Sequence, residues 1–143
     1  MIRHAAASDR ERCALLLKQS HIAAGFPWPF SGAHAHALFL HHLDSPDACC
    51  FVLDVGGVAQ GILMAVAFDH PFGSGRWAKE TVWFVAEAHR GRGAVRMLDA
   101  YEAWARDQGC VVIGMASLAS NDVSALYERR GYAPAETHFL KFL

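Results

Sequence analysis

Between an apolar run, Thr81 to Val85, and an amphipathic stretch from about Arg92 to Gln108 stand six residues, Arg90-Gly91-Arg92-Gly93-Ala94-Val95. A strand that passes into a helix through a glycine-rich turn leaves the first amides of the helix without carbonyl partners. Those amides point outward with the positive end of the helix dipole behind them, which suits a phosphate or pyrophosphate. Arg90, Arg92 and Arg96 add fixed positive charge at the same end. The turn therefore demands a strand on one side, a helix on the other and an anionic ligand between them.

The spacing narrows the ligand. A dinucleotide fingerprint needs G-x-G-x-x-G with an acidic residue about 20 positions later for the ribose. Here the third glycine is missing, and the next apolar run, Cys110 to Leu118, holds no acid. A mononucleotide loop needs G-x-x-x-x-G-K-[ST], and no such run exists. The segment Val85-Ala86-Glu87-Ala88-His89-Arg90-Gly91-Arg92-Gly93-Ala94-Val95 instead resembles the coenzyme A pyrophosphate loop of the GNAT N-acetyltransferases, roughly V-x-P-x-x-[RQ]-G-x-G-x-[GA]. Glu87 stands where the family has proline, and Val95 where it has a small residue.

A second block is similar to the same family. Asn121-Asp122-Val123-Ser124-Ala125-Leu126-Tyr127-Glu128-Arg129-Arg130-Gly131-Tyr132 resembles its N-x-x-[AS]-x-x-[LF]-Y-x-x-x-G-[FY] segment. The residues also make local sense, with Asn121 as N-cap, Gly131 at the left-handed C′ position, and Val123, Leu126 and Tyr127 on one face. The two blocks lie about 25 residues apart, in the family's order.

The rest of the chain reads as one domain, residues 1–143, whose 53% hydrophobic and 19% charged residues suit a globular core. A net charge of −1 gives no support to a nucleic-acid partner, and no apolar run is long enough to cross a bilayer. Met1-Ile2-Arg3-His4 leads straight into a helical pattern, so no secretory leader is expected. Cys13, Cys49, Cys50 and Cys110 form no C-x-x-C pair and read as reduced core thiols of a cytoplasmic protein.

Ile2 to Ala6 reads as a first strand, and Ser8 to Glu11 as a capping box opening a helix that buries Cys13, Leu16 and Leu17. Two prolines make Phe26 to Phe30 an aromatic loop, and Gly32 to Leu43 reads as a second helix. Strands Cys49–Asp54 and Val58–Phe68 are joined by Gly56-Gly57, a hairpin turn. Strand Lys79–Glu87, the long helix, strand Cys110–Leu118, a last helix and a final strand over 135–143 complete the order β-α-α-β-β-β-α-β-α-β. That order is similar to the GNAT fold, α+β (mixed α/β). The resemblance implies a twisted mixed sheet of six to seven strands, about four helices, and a splay between the two central parallel strands. There an extended pantetheine arm can pair with exposed main chain.

The resemblance implies acetyl-CoA as cofactor and transfer of its acetyl group to a primary amine of a small molecule or protein, by direct attack in a ternary complex. A non-catalytic acyl-CoA-binding regulatory module is the alternative. By resemblance, Tyr127 protonates the departing sulfur, although a purely packed ring is the competing reading. The resemblance also implies that Phe84, Val85, Arg90, Gly91, Arg92, Gly93, Ala94, Val95, Asn121, Ser124 and Tyr127 hold the cofactor and that a backbone N–H near Val85 meets the developing oxyanion. Glu80 is the candidate base, the alternatives being a surface or structural role for it with His21, His34 or a chain of waters taking the proton. Glu87, seven residues on and so about 23 Å away along a straight strand, cannot share the same centre. Phe26, Trp28, Phe30 and His34 are candidate acceptor contacts, or else a core-packing loop. The nine histidines suggest a metal, but none of those in 34–42 is spaced i, i+4, so no metal site is expected. The expected partner is an amine acceptor, with a homodimer allowed and neither nucleic acid nor membrane.

Overall fold

The computed structural model describes all of residues 1–143. Its elements are β1 (Ile2–His4), α1 (Arg10–Ala24), α2 (Gly32–Asp44), β2 (Ala48–Val55), β3 (Val58–Asp69), β4 (Arg76–Val85), α3 (Arg92–Asp107), β5 (Val112–Gly114) and α4 (Ser124–Arg129), with short 3₁₀ turns before α1 and after β4. The sheet runs β1-β2-β3-β4-β5, antiparallel except for the parallel β4–β5 pair. No helix is long and apolar enough to cross a membrane.

Both faces of the central strands are covered, which is why β2 and β3 read as nearly unbroken apolar runs. Alternation sorts their side chains. Cys49, Phe51, Leu53, Leu63 and Ala65 pack with Met97, Leu98 and Tyr101 of α3, while Cys50, Val52, Ile62 and Met64 pack with Leu16 of α1 and Phe39 of α2. Adjacent Cys49 and Cys50 thus enter opposite cores, and all four thiols are free. Burial pushes the Cys49 thiol up to about 12, so it stays protonated and unreactive. In the β2–β3 turn, Gly56 and Gly57 both have positive φ (62° and 84°), and the Asp54 carboxylate accepts from the Gly57 amide at 2.7 Å.

The sheet has five strands rather than six or seven. Residues 133–143 form no strand; Phe139, Leu140, Phe142 and Leu143 are all exposed. Apolar residues at 139, 140, 142 and 143 fall on both faces of an extended chain, so they do not define one burying face. The strand expected over Cys110–Leu118 shortens to Val112–Gly114. The Ser8–Glu11 capping box is also absent. The Asp9 carboxylate accepts from the Ala6 amide (2.8 Å) and from both terminal nitrogens of Arg3 (2.7 and 3.0 Å).

Two departures from a regular ladder create the cleft. Met64 faces Val82 whereas Ala65 faces Glu80, so Thr81 is an unpaired bulge in β4. On the other side, β5 pairs with β4 only from Trp77–Val112 to Lys79–Gly114. Beyond that point β4 continues to Val85 paired with β3 alone, and the sheet opens on the β5 side.

Candidate active site

The opening forms a cleft of about 740 Å³. One side is β4 from Glu80 to Val85, running into Arg90, Gly91, Ala94 and Val95 at the start of α3. A second is Ala116, Leu118, Asn121, Val123, Leu126, Tyr127 and Arg129, from the segment after β5 and from α4. The far wall comes from α1, α2 and their connection, with Leu17, His21, Phe26, Phe30, His34 and Leu38. Ser120 Oγ, donating to the Ala24 carbonyl at 3.1 Å, ties the second side to the end of α1.

At the start of α3, Gly91 has φ 122° and ψ −137°, a backbone shape that side chains disfavour. The amides of Gly91, Arg92, Gly93 and Ala94 donate to no backbone carbonyl, and the first helical bond runs from Val95 N to Gly91 O. Gly93 is small for a reason other than ligand approach: a Cβ there would lie 3.2 Å from a Leu53 methyl, so α3 rests on β2 at this point. Arg90 Nε donates to the Val85 carbonyl at 3.1 Å, closing the last carbonyl of β4 and fixing the turn.

Where the sheet forks, two titratable groups converge on one residue. Glu80 Oε1 accepts from the Ala116 amide at 2.8 Å, and Tyr127 Oη donates to the Ala116 carbonyl at 2.9 Å. The Glu80 side chain thus takes up the amide just where the ladder ends. Burial raises the Glu80 carboxyl above the ordinary carboxylate range, the Ala116 amide opposing it in part. Burial, then the Glu80 charge, holds the Tyr127 phenol well above its usual value, so the hydroxyl stays protonated at neutral pH. The Tyr127 ring lies between Trp83 (6.2 Å) and Tyr132 (5.7 Å).

Of the residues selected from sequence, Glu80, Phe84, Val85, Arg90, Gly91, Ala94, Val95, Asn121, Tyr127, Phe26, Phe30 and His34 line this one cleft. Arg92, Gly93, Ser124 and Trp28 do not. Arg92 is exposed on the first turn of α3, and Trp28 backs the wall by stacking on Phe26 at 4.4 Å while its carbonyl pairs with His21 Nε2 at 2.8 Å. Ser124 gives both its amide and its hydroxyl to Asp122, and the cap residue of α4 is Val123 rather than Asn121, which bridges to Leu118. Glu87 sits exposed in the 3₁₀ turn after β4.

Three participants escaped the sequence reading. Thr81 and Ala116 owe their places to register, which has no local signature. His42 had a signal, since it continues the buried Ala35–Phe39 stripe of α2. Its Nδ1 meets the Leu38 carbonyl at 2.9 Å and its Nε2 meets Thr81 Oγ1 at 3.1 Å. A carbonyl only accepts, so Nδ1 carries the proton and Nε2 accepts from the threonine hydroxyl, pinning the bulge. Nowhere do three His, Cys, Asp or Glu side chains gather as a metal set.

The comparisons with known proteins agree with this architecture. No curated protein matches the chain. Among solved structures, a transcriptional regulator from Bacillus halodurans C-125 superposes with TM-score 0.83 at 18% identity, covering 100% of this chain and 99% of that one. A predicted acetyltransferase with acetyl-CoA from Clostridium acetobutylicum gives 0.81 at 17%, covering 100% and 95%. The aminoglycoside 6′-N-acetyltransferase of Acinetobacter haemolyticus gives 0.78 at 19%, covering 100% and 99%. Identities this low establish the fold alone. The profile of the acetyltransferase (GNAT) family matches residues 15–132, from the first helix to the tyrosine after α4. The chain belongs to the acetyltransferase (GNAT) family.

Proposed function

We propose that the chain is an acetyl-CoA-dependent N-acetyltransferase acting on a primary amine by direct attack in a ternary complex. The observation that supports this most is the contiguity of two unsatisfied surfaces. The edge of β4 from Glu80 to Val85 that β5 leaves open leads, through the short turn Glu87–His89, to the unpartnered amides at the start of α3. An extended molecule with amides along its length and a diphosphate at one end matches both. The diphosphate would rest on Gly91, Arg92, Gly93 and Ala94, with Arg90 and Arg92 supplying charge. The amide-bearing arm would lie along Val85 and Phe84, facing Asn121 and Tyr127. One solved relative with this fold carries acetyl-CoA.

Acetyl-CoA, when bound, supplies the activated acetyl thioester. Glu80 takes a proton from the acceptor ammonium, directly or through a water, and its raised pKa makes it a better base than an ordinary carboxylate. The Tyr127 hydroxyl, protonated at neutral pH, turns from the Ala116 carbonyl to protonate the departing sulfur. The His42–Thr81 bond holds the bulge in β4, and a main-chain amide between it and Val85 would meet the developing oxyanion.

Calorimetric titration with acetyl-CoA, followed by measurement of thiol release over a panel of amines, tests the reading. Saturable binding with amine-dependent thiol release is expected. Absence of binding overturns it, and binding without release from any amine leaves a non-catalytic acyl-CoA-binding module.

A further inference from the structure

The walls of the cleft differ in charge as well as in shape. Leu17, Phe26, Phe30 and Leu38 present apolar surface on the far wall, relieved by the imidazoles of His21 and His34. His21 is already engaged, with Nε2 on the Trp28 carbonyl and its ring 5.7 Å from Phe30. Glu80 is the only carboxylate among all the residues lining the cleft. The fixed cations, Arg90 and Arg129, stand on the other sides, after β4 and on α4. The far wall therefore offers aromatic and aliphatic surface, no fixed charge of either sign, and one acid at the fork beside it.

This charge pattern selects an acceptor. An amine entering the cleft as an ammonium needs a counter-charge, and Glu80 provides one. A second ammonium on the same molecule finds no second acid on any side of the cleft. A carboxylate on the acceptor finds no cation on the far wall and is repelled by Glu80. An apolar body, in contrast, covers Phe26, Phe30 and Leu38 and is held by their burial. We infer that the acceptor is a primary monoamine with an aromatic or aliphatic body and no carboxylate, its nitrogen at Glu80 and its body against the α1–α2 wall. This inference rests on the acetyl-transfer reading and specifies its second substrate.

Three acceptors separate these effects: tryptamine, tryptophan, which adds a carboxylate to the same body, and spermidine, which has several amines and no aromatic body. With acetyl-CoA binding first established by calorimetry, kcat/KM for tryptamine should exceed that of each of the others by at least about tenfold. If acetyl-CoA does not bind, the acetyl-transfer reading itself fails. If it binds and spermidine or tryptophan equals tryptamine, or tryptamine is not turned over, only the acceptor assignment fails. A substitution gives a second arm. His34 is exposed on the first turn of α2, where an acid suits the helix dipole, so His34→Glu adds a carboxylate to the far wall with the packing intact. It should raise the spermidine-to-tryptamine ratio of kcat/KM at least about fivefold. An unchanged ratio overturns the charge argument.

Discussion

Tyr127 and Glu80 meet at a single residue, one on the carbonyl and one on the amide of Ala116. Removing the tyrosine hydroxyl leaves that carbonyl without its donor while the ring keeps its packing against Trp83 and Tyr132. Tyr127→Phe should therefore cost about 1 kcal/mol of stability, measured by urea unfolding. It should lower the acetyl-transfer rate about 100-fold with little change in acetyl-CoA affinity. A rate within twofold of the parent would make the ring a packing element only. His42 carries a separate prediction. Burial lowers its pKa below the usual 6.5, so the folded state binds this proton less readily than the unfolded one. The stability it contributes is present above about 6.5 and is lost as pH falls towards the depressed native value. The melting temperature should fall between about pH 7.5 and about pH 5, and His42→Gln should flatten that fall. Equal slopes in the two proteins would contradict it.

At the scale of elements, the start of α3 separates two glycines that sequence treats alike. Gly91 is required by conformation, since φ 122° is unsuitable for a side chain although the space around it is open. Gly93 is required by contact, its neighbour being a flexible leucine methyl at 3.2 Å. Gly91→Ala should thus destabilise by about 1–3 kcal/mol, and Gly93→Ala by less, as the Leu53 side chain gives way. Chemical denaturation of both decides the order, and the reverse ranking would show contact to dominate. What was legible beforehand follows the same division between local and remote causes. The 3.6-residue stripe of α3, the paired glycines at 56 and 57 and the strands they join are properties of contiguous residues. They appeared with boundaries one or two residues off. The Thr81 bulge, the fork after Gly114 and the meeting of Glu80 with Ala116 depend on how distant strands slide past one another. The tail misled because Phe139, Leu140, Phe142 and Leu143 mimic a strand in composition but not in period.

Across the whole molecule, order is unevenly distributed. β3 and β4 pair from Gly61–Val85 to Asp69–Arg76, between two filled cores, whereas β5 adds three residues at an edge. Stability follows such differences in local burial and hydrogen bonding. Amide exchange should be slowest in β2, β3 and the first half of β4, faster over residues 112–132 and fastest over the exposed residues 133–143. Coenzyme A should slow exchange at 82–85, 91–95 and 112–132 and leave β2 unchanged, as read by mass spectrometry. Protection spread evenly over the chain would count against a ligand held between β4 and α4. The short β5 then acquires a meaning of its own. The sheet stops pairing three residues into its last strand, and the vacant rungs face the cleft. A ligand lying there would finish the sheet, so for residues 112–132 becoming loaded and becoming rigid would be one equilibrium.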